Sequence, residues 1–435
     1  MTTNHMATAD VARVAQRALR SVAAGRLAAF PFSIRFWDGS VIPARSGATA
    51  ARGGPPTLVV RNPAALSDLL HEPNEIGLTR AWVRRTLDVD GDLEDVLALR
   101  ERYAGLHLPA RERARLALAA VLAAGPRVLR RQPAPTIEAR PRGRRHSVAR
   151  DREAVRHHYE LSNRFYELLL GPSLVYSCAY FEGPGDSLGR AQERKLETIC
   201  RKLRLAPGER LLDVGCGWGS LLLHAARHHR VRGVGVTLSD AQAELARERI
   251  ARAGLNDQVE IRVCDYRQVS DGPYDKIASV GMYEHVGRDQ LDVYVSHVHR
   301  LLAPGGLFLN HGIARLRERR GAEDTFISRY IFPDGELHPV TDVLRSMETS
   351  GLEIRDLESL REHYALTLRR WVANLDAWRE EAIGEVGEMR VRAWRLYLVG
   401  CAHAFATGEI SVFQVLSVRG GAPHNLPLSR RALLA

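Results

Sequence analysis

From about Arg201 the apolar positions fall into short runs separated by turn residues and by stripes of helical period. Arg210 to Val214 predicts a strand ending in a glycine run, and Ser220 to His228 predicts a helix. Val231 to Val236 is the next strand, followed by a helix over Asp240 to Ala253. Gln258 to Val263 and Lys276 to Val280 are two further strands. A helix over Asp289 to Leu302 then leads through Pro304-Gly305-Gly306 into the strand Leu307 to His311. Repeated βα units of this kind predict an α/β, doubly wound, mostly parallel sheet with helices on both faces. Ligands of such sheets sit beyond the carboxyl ends of the strands, and the polar motifs of this stretch all fall there.

The first hundred residues read differently. Val11, Val14, Ala15, Ala18, Leu19 and Val22 form one helical stripe with Arg13, Arg17 and Arg20 off it. Such a helix packs on its own domain or a partner subunit, or lies on an anionic membrane. Alternation at Phe32 to Phe36 and Thr57 to Val60, with turns at Asp38-Gly39 and Asp88 to Asp92, predicts a small mixed α/β domain. Between Gly125 and Arg156, Pro126, Pro133, Pro135 and Pro141 stand among many arginines with little to bury. The expected organisation is an N-terminal lipid-facing or dimerisation domain over 1–124, a basic linker over 125–156 and a catalytic domain over 157–435.

Composition narrows the classes. With 435 residues the chain exceeds one ordinary core, and its formal charge of +11 suits an anionic partner, either nucleic acid or a phospholipid surface. The five cysteines form no C-x-x-C pair, which predicts a reduced, cytoplasmic protein with no disulfide frame and no metal site. The longest apolar stretch, Leu116 to Gly125, is far short of the ~20 residues a spanning helix needs, and no secretory signal pattern opens the chain.

The glycine run is Gly215-x-Gly217-x-Gly219 after a strand that ends in Asp213-Val214. It offers backbone room and free N–H groups to a ligand. An acid two positions before the first glycine, with no third glycine at dinucleotide spacing, suits the carboxylate and ribose of S-adenosylmethionine better than a pyrophosphate. The second strand ends in Thr237-Leu238-Ser239-Asp240 and lacks the lone acid that would hold the ribose of NAD. Asp265, after the third strand, is placed to accept from an adenine amino group or to cap a turn.

At this point the chain resembles the cyclopropane fatty acid synthase family, including its mycolic acid branch. The matching segments run in order: His158 to Asn163, Tyr176 to Phe181, the glycine loop, Thr237 to Gln242, Gly281-Met282-Tyr283-Glu284-His285-Val286-Gly287, His311 to Ile313, Tyr330 to Pro333 and His363-Tyr364. The resemblance spans roughly residues 150 to 420 and implies a class I methyltransferase fold. It implies that S-adenosylmethionine methylates the cis alkene of a phospholipid acyl chain, and that the carbocation closes to a cyclopropane once a bound bicarbonate removes a proton. Cys178, Glu284, His311 and Tyr364, with the backbone of Ile313, carry over as the bicarbonate cage. Tyr176, Ser177, Asp213, Gly215, Gly217, Gly219, Thr237, Gln242, Asp265 and Tyr266 carry over to the cofactor. Tyr180, Tyr283 and Phe332 are candidates to stabilise the cation or to line an acyl tunnel. Glu160 stands where many members carry Asp, which leaves product identity open.

The resemblance also implies peripheral contact with the inner face of the membrane and a possible homodimer. A C-methyltransferase giving a methylene-branched chain is the nearest alternative. A nucleic-acid methyltransferase would need an N/D-P-P-Y/W-type motif where Gly281 to Gly287 stands, so no nucleic-acid partner is expected. A lipid-binding protein without catalysis would leave the glycine loop without purpose.

Overall fold

In the computed structural model, which describes residues 10–21, 31–44, 54–98, 109–140, 142–159, 161–316 and 325–434, the alternating runs become a seven-stranded sheet. Expectations for Val22, the Arg20 side chain, Pro141 and Glu160 lie outside the described residues. The strands are β5 (Arg210–Val214), β6 (Arg232–Thr237), β7 (Val259–Val263), β8 (Tyr274–Val280), β9 (Leu302–Arg315), β10 (Leu352–Ser359) and β11 (Ile410–Arg419). They lie in the order β10-β11-β9-β8-β5-β6-β7. β7, β6, β5, β8 and β9 are parallel, and β11 runs antiparallel to both β9 and β10.

Strands covered on both faces must be apolar on both, and β5 shows it. Leu211 packs with Ile199, Leu221, Leu222 and Ala246 on one side. Leu212 and Val214 pack with Tyr294, Val298 and Met347 on the other. Each leucine fully buried in this way contributes roughly 1.5–3 kcal/mol. The chain first enters the sheet at its centre and reverses direction there, so the carboxyl ends of β5 and β8 border the crevice where such folds bind ligands.

Local differences from the sequence reading have physical causes. The strand expected at 307–311 extends over Leu302–Arg315, because antiparallel pairing with β11 continues to Arg315↔Ile410. The helix expected from Asp289 begins at Leu291, after one 3-10 turn over Arg288–Gln290.

The chain divides into two compact units, Met1–Glu138 with Asp324–Phe326 and Gly387–His403, and the remainder. The first unit holds a four-stranded sheet, β2-β1-β3-β4, of Ser33–Arg35 (β1), Val41–Ile42 (β2), Thr57–Val60 (β3) and Leu87–Asp90 (β4). Residues 88–90, expected as a turn, are part of β4, paired with β3, and the reversal is confined to the positions around Gly91. The helix Val11–Ser21 packs within its own unit: Val11 and Ala12 are buried beside Ile34, Ile42 and Leu87, while Arg13 and Arg17 face outward. Residues 387–403, read from sequence as catalytic-domain chain, belong to this unit. There the Arg392 guanidinium lies 4.1 Å over the Trp82 ring, and Trp82 Nε1 donates to the Arg392 carbonyl at 2.9 Å.

The stretch expected as a basic linker carries regular structure at its two ends, and the boundary between the two units falls inside it, after Glu138. Pro126–Leu129 is a 3-10 turn burying Val128, and Val148–Tyr159 is a helix burying Ala154 and His158. Several of its arginines have acid partners: Arg131 meets Glu72 at 2.8 Å, Arg150 meets Asp334 at 2.5 Å, and Arg156 meets Asp240 at 2.8 Å. Composition alone hid these long-range acids. Among the described residues no helix is long and apolar enough to cross a membrane.

Candidate active site

β5 delivers Asp213 to the crevice, and the chain then turns through Gly215, Gly217 and Gly219 at φ of 82°, 53° and 74°. These are left-handed conformations that favour glycine. The cavity at this loop is lined by Tyr176, Ser177, Asp213, Gly215, Gly217, Thr237, Gln242, Asp265 and Tyr266. Gly219 is not in its lining; it caps the helix Ser220–His229, close to Ala246. Burial pushes the Asp213 carboxyl up to about 7, and Lys195 opposes that rise.

Lys195 is the main element that sequence reasoning missed. It is buried on the helix Leu188–Lys202 and donates from Nζ to Ser177 Oγ at 2.9 Å. Burial lowers its pKa to about 8. Gln192, one turn earlier, donates to the Ser177 carbonyl at 2.9 Å. Together they hold the 175–177 segment against the glycine loop. The available signal was helical spacing: Gln192, Lys195, Ile199 and Lys202 share one stripe, and polar groups on a buried stripe require partners.

Around the nucleotide-type loop the other expected residues hold one another. Thr237 Oγ1 donates to Gln242 Oε1 at 2.9 Å. Both Asp265 oxygens accept from Arg267, and Asp265 forms a capping box with Gln268. The capping role weighed for Asp265 is therefore present, and the residue lines the cavity as well. Tyr159, Trp218 and His285, which belong to the matching segments, also line it; burial holds His285 down to about 4.

The second motif lies where β8 ends. Glu284 sits in a short turn, Tyr283–His285, and is buried. Its Oε1 accepts the Ile313 N–H at 2.8 Å, and burial pushes the carboxyl up to about 7. Tyr283, a candidate to stabilise a cation or line an acyl tunnel, serves as a strut in this turn. It is 2 % exposed, and its hydroxyl donates to the Ile313 carbonyl at 2.5 Å. Its ring fills the space that Gly312 leaves, where a Cβ would lie 1.9 Å from Tyr283 Cε1. Ile313, expected to close an anion cage with its backbone, thus uses both backbone groups to clamp the Tyr283-Glu284 turn.

Strand pairing gathers the remaining residues. His311 is opposite Val280 on β8 and opposite Gln414 on β11, while Ile313 is opposite Val412. Leu360 N–H donates to the Val412 carbonyl, and the Leu360 carbonyl accepts from Tyr364 N–H at 3.0 Å and lies 3.7 Å from Cys178 Sγ. Cys178 is fully buried, and desolvation pushes its thiol up, so it is a protonated donor to backbone carbonyls and not a nucleophile. The Tyr364 ring packs on Phe405, centroids 4.6 Å apart, and edge-on to Trp371. Tyr180 stacks on His363 at 4.8 Å, and Phe332 lies against His158 at 4.0 Å. His311 is buried, burial holds its imidazole well below its ordinary pKa, and its Nδ1 lies 3.1 Å from Gln414 Nε2.

The buried polar atoms here without a partner among the described residues include Glu284 Oε2 and His311 Nε2, along with Gln192 Oε1, Ser279 Oγ and Trp371 Nε1. Buried polar groups are normally satisfied, so the open acceptor in the turn after β8 and the open imidazole nitrogen on the adjacent strand β9 suit a small polar ligand that can both donate and accept.

Comparison with known proteins is consistent with this geometry. Residues 146–415 match the family model described as mycolic acid cyclopropane synthetase. A probable fatty acid methyltransferase of Pseudomonas putida is 37% identical over 408 residues, 92% of this chain and 95% of that protein. The cyclopropane-fatty-acyl-phospholipid synthase of Escherichia coli K12 is 40% identical over 264 residues, 60% of this chain and 67% of that protein. The crystal structure of mycolic acid cyclopropane synthase CmaA1 complexed with SAH and CTAB is similar with a TM-score of 0.59 at 36% identity, covering 62% of this chain and 98% of that one.

Proposed function

Because the chain belongs to the cyclopropane synthase family, we propose that it transfers a one-carbon unit from S-adenosylmethionine to the cis double bond of an unsaturated phospholipid acyl chain, closing a cyclopropane ring. The single observation that carries this reading is the pair of unpartnered buried atoms, Glu284 Oε2 and His311 Nε2: neither residue is in the lining of the glycine-loop cavity, but Glu284 precedes the lining residue His285 and His311 is the strand partner of the lining residue Val280.

When bound, S-adenosylmethionine supplies an electrophilic methyl group. Asp213, Thr237, Gln242 and the open backbone of Gly215 and Gly217 would hold it, with Ser177, fixed by Lys195, at its methionine end. Bicarbonate would supply the base. A His311 N–H would donate a hydrogen bond to such an anion and Glu284 Oε2 would accept one from its hydroxyl, which would avoid contact between two bare negative charges. Ile313 and Tyr283 hold Glu284 at that point. The apolar rings of Trp371, Phe405 and Tyr364 keep water from a cation that water would capture. The charge of +11 favours peripheral contact with an anionic lipid surface at the cytoplasmic face of a membrane. A homodimer completes the reading as the resemblance implies it.

One observation favours a second product. The relative that matches 92% of this chain is named a fatty acid methyltransferase, so a methylene-branched chain is the alternative outcome of the same site. The test is incubation with S-adenosylmethionine and vesicles of dioleoyl phospholipid, followed by mass analysis before and after hydrogenation. Both products gain one CH₂; a cyclopropane survives mild hydrogenation unchanged, whereas a methylene product takes up two hydrogens. No mass gain in the acyl chains sinks both.

A further inference from the structure

Behind His311 a chain of two buried side chains, Gln414 and Lys202, ends on a cation. Lys202, at the end of the helix Leu188–Lys202, is fully buried, and its Nζ donates to Gln414 Oε1 at 2.8 Å and to Glu358 Oε2 at 2.5 Å. Asp356 lies 3.7 Å away on the same face of β10. Gln414, fully buried opposite His311 in the β9–β11 register, places Nε2 3.1 Å from His311 Nδ1.

The donor inventory of these groups fixes every proton. An ammonium only donates, so the Gln414 oxygen must face Lys202. The amide NH₂ then faces His311 and only donates, so Nδ1 must be the bare, accepting nitrogen. A flipped Gln414 would set its NH₂ against the Lys202 ammonium, donor to donor, between two fully buried side chains. The Glu358 carboxylate, braced by the Tyr180 hydroxyl at 3.1 Å, keeps the Lys202 charge in place.

We infer that Lys202 and Gln414 are positioning residues that lock His311 in the tautomer with its proton on Nε2, so that the ring can only donate toward the reaction pocket. The inference rests on the proposed function for its purpose, since an anion held beside Glu284 needs a donor from His311 and not a second acceptor. Neither lysine nor amide touches the reacting atoms. Their effect passes through the imidazole.

The test is ¹⁵N NMR of protein labelled at histidine, with the His311 signals assigned by their loss in His311→Asn. The resting wild-type protein, without methyl donor or lipid, should show a pyridine-type Nδ1 and a pyrrole-type Nε2 for His311. Gln414→Glu replaces the donor by an acceptor, so Nδ1 should become pyrrole-type, with methyl transfer to dioleoyl vesicles falling at least about 10-fold at unchanged affinity for S-adenosylmethionine. A wild-type ring protonated at Nδ1 overturns the inference whether or not any variant folds. So does a Gln414→Glu protein with the wild-type nitrogen pattern. The ring pattern is read without substrate, so the expected tautomer in a protein that leaves dioleoyl chains unmethylated supports the relay while sinking the functional reading.

Discussion

Replacing Glu284 by Gln tests whether burial or function dominates this carboxyl. The side chain is buried with one oxygen on the Ile313 N–H and the other unpartnered, and its pKa rises from an ordinary 4.5 to about 7. Between those values the folded protein holds a proton that the unfolded chain releases. The stabilisation is therefore complete below about pH 4.5 and is lost as pH rises through about 7. Over the interval from about pH 5 to about pH 8 the loss amounts to roughly 2–3 kcal/mol. A glutamine keeps an oxygen for Ile313 and cannot ionise, so it lacks this loss. Asp213, also pushed up to about 7, and His285, held down to about 4, titrate in the same window but are common to both proteins. The assay is urea denaturation of wild type and Glu284→Gln at both ends of that range. The stability difference should move by roughly 2–3 kcal/mol in favour of the variant on going to the higher pH. Parallel stabilities at the two pH values would refute the reasoning, because Glu284 would then have to be solvated or already paired with a cation.

Gly312→Ala places a methyl carbon 1.9 Å from a Tyr283 ring tethered at its hydroxyl, so the turn bearing Glu284 must shift. Urea denaturation should show a loss of about 1–3 kcal/mol, as overpacked cores do, and methyl transfer should fall; unchanged stability and rate would mean that Tyr283 is not a strut. Lys195→Met removes the cation that holds the Asp213 carboxyl down from a still higher pKa. Calorimetric affinity for S-adenosylmethionine should weaken near neutral pH and recover at a higher pH than in wild type, and a pH profile superimposable on the wild type's would argue against the coupling.

The central sheet was legible because its strands are short apolar runs closed by turn residues, and a strand covered on both faces has no other composition open to it. The glycine loop and the Glu284 turn were legible for the same reason, as each must interrupt a periodic pattern with residues of special backbone or chemistry. What stayed hidden depends on partners far along the chain. Lys195 and Lys202 look like ordinary surface lysines until the stripe they share with Ile199 is seen to be buried. The arginines at 150 and 156 read as solvated because Asp334 and Asp240 are 184 and 84 positions away. Residues 387–403 show no local sign of belonging with the N-terminal unit, since only the surface they pack against defines that membership. The roles of Tyr283 and Ile313 turned on hydrogen bonds between adjacent strand ends, which residue type does not specify.

The most direct test of the account is His311→Ala, assayed for transfer of the labelled methyl group into oleoyl chains, with binding of S-adenosylmethionine measured on the same preparation. Proton removal assisted by the His311–Glu284 pocket predicts a loss of turnover of about 10²-fold or more, with cofactor affinity within a few-fold of wild type. Retained turnover, or cofactor affinity that falls in step with turnover, would place His311 outside the reaction and contradict the account.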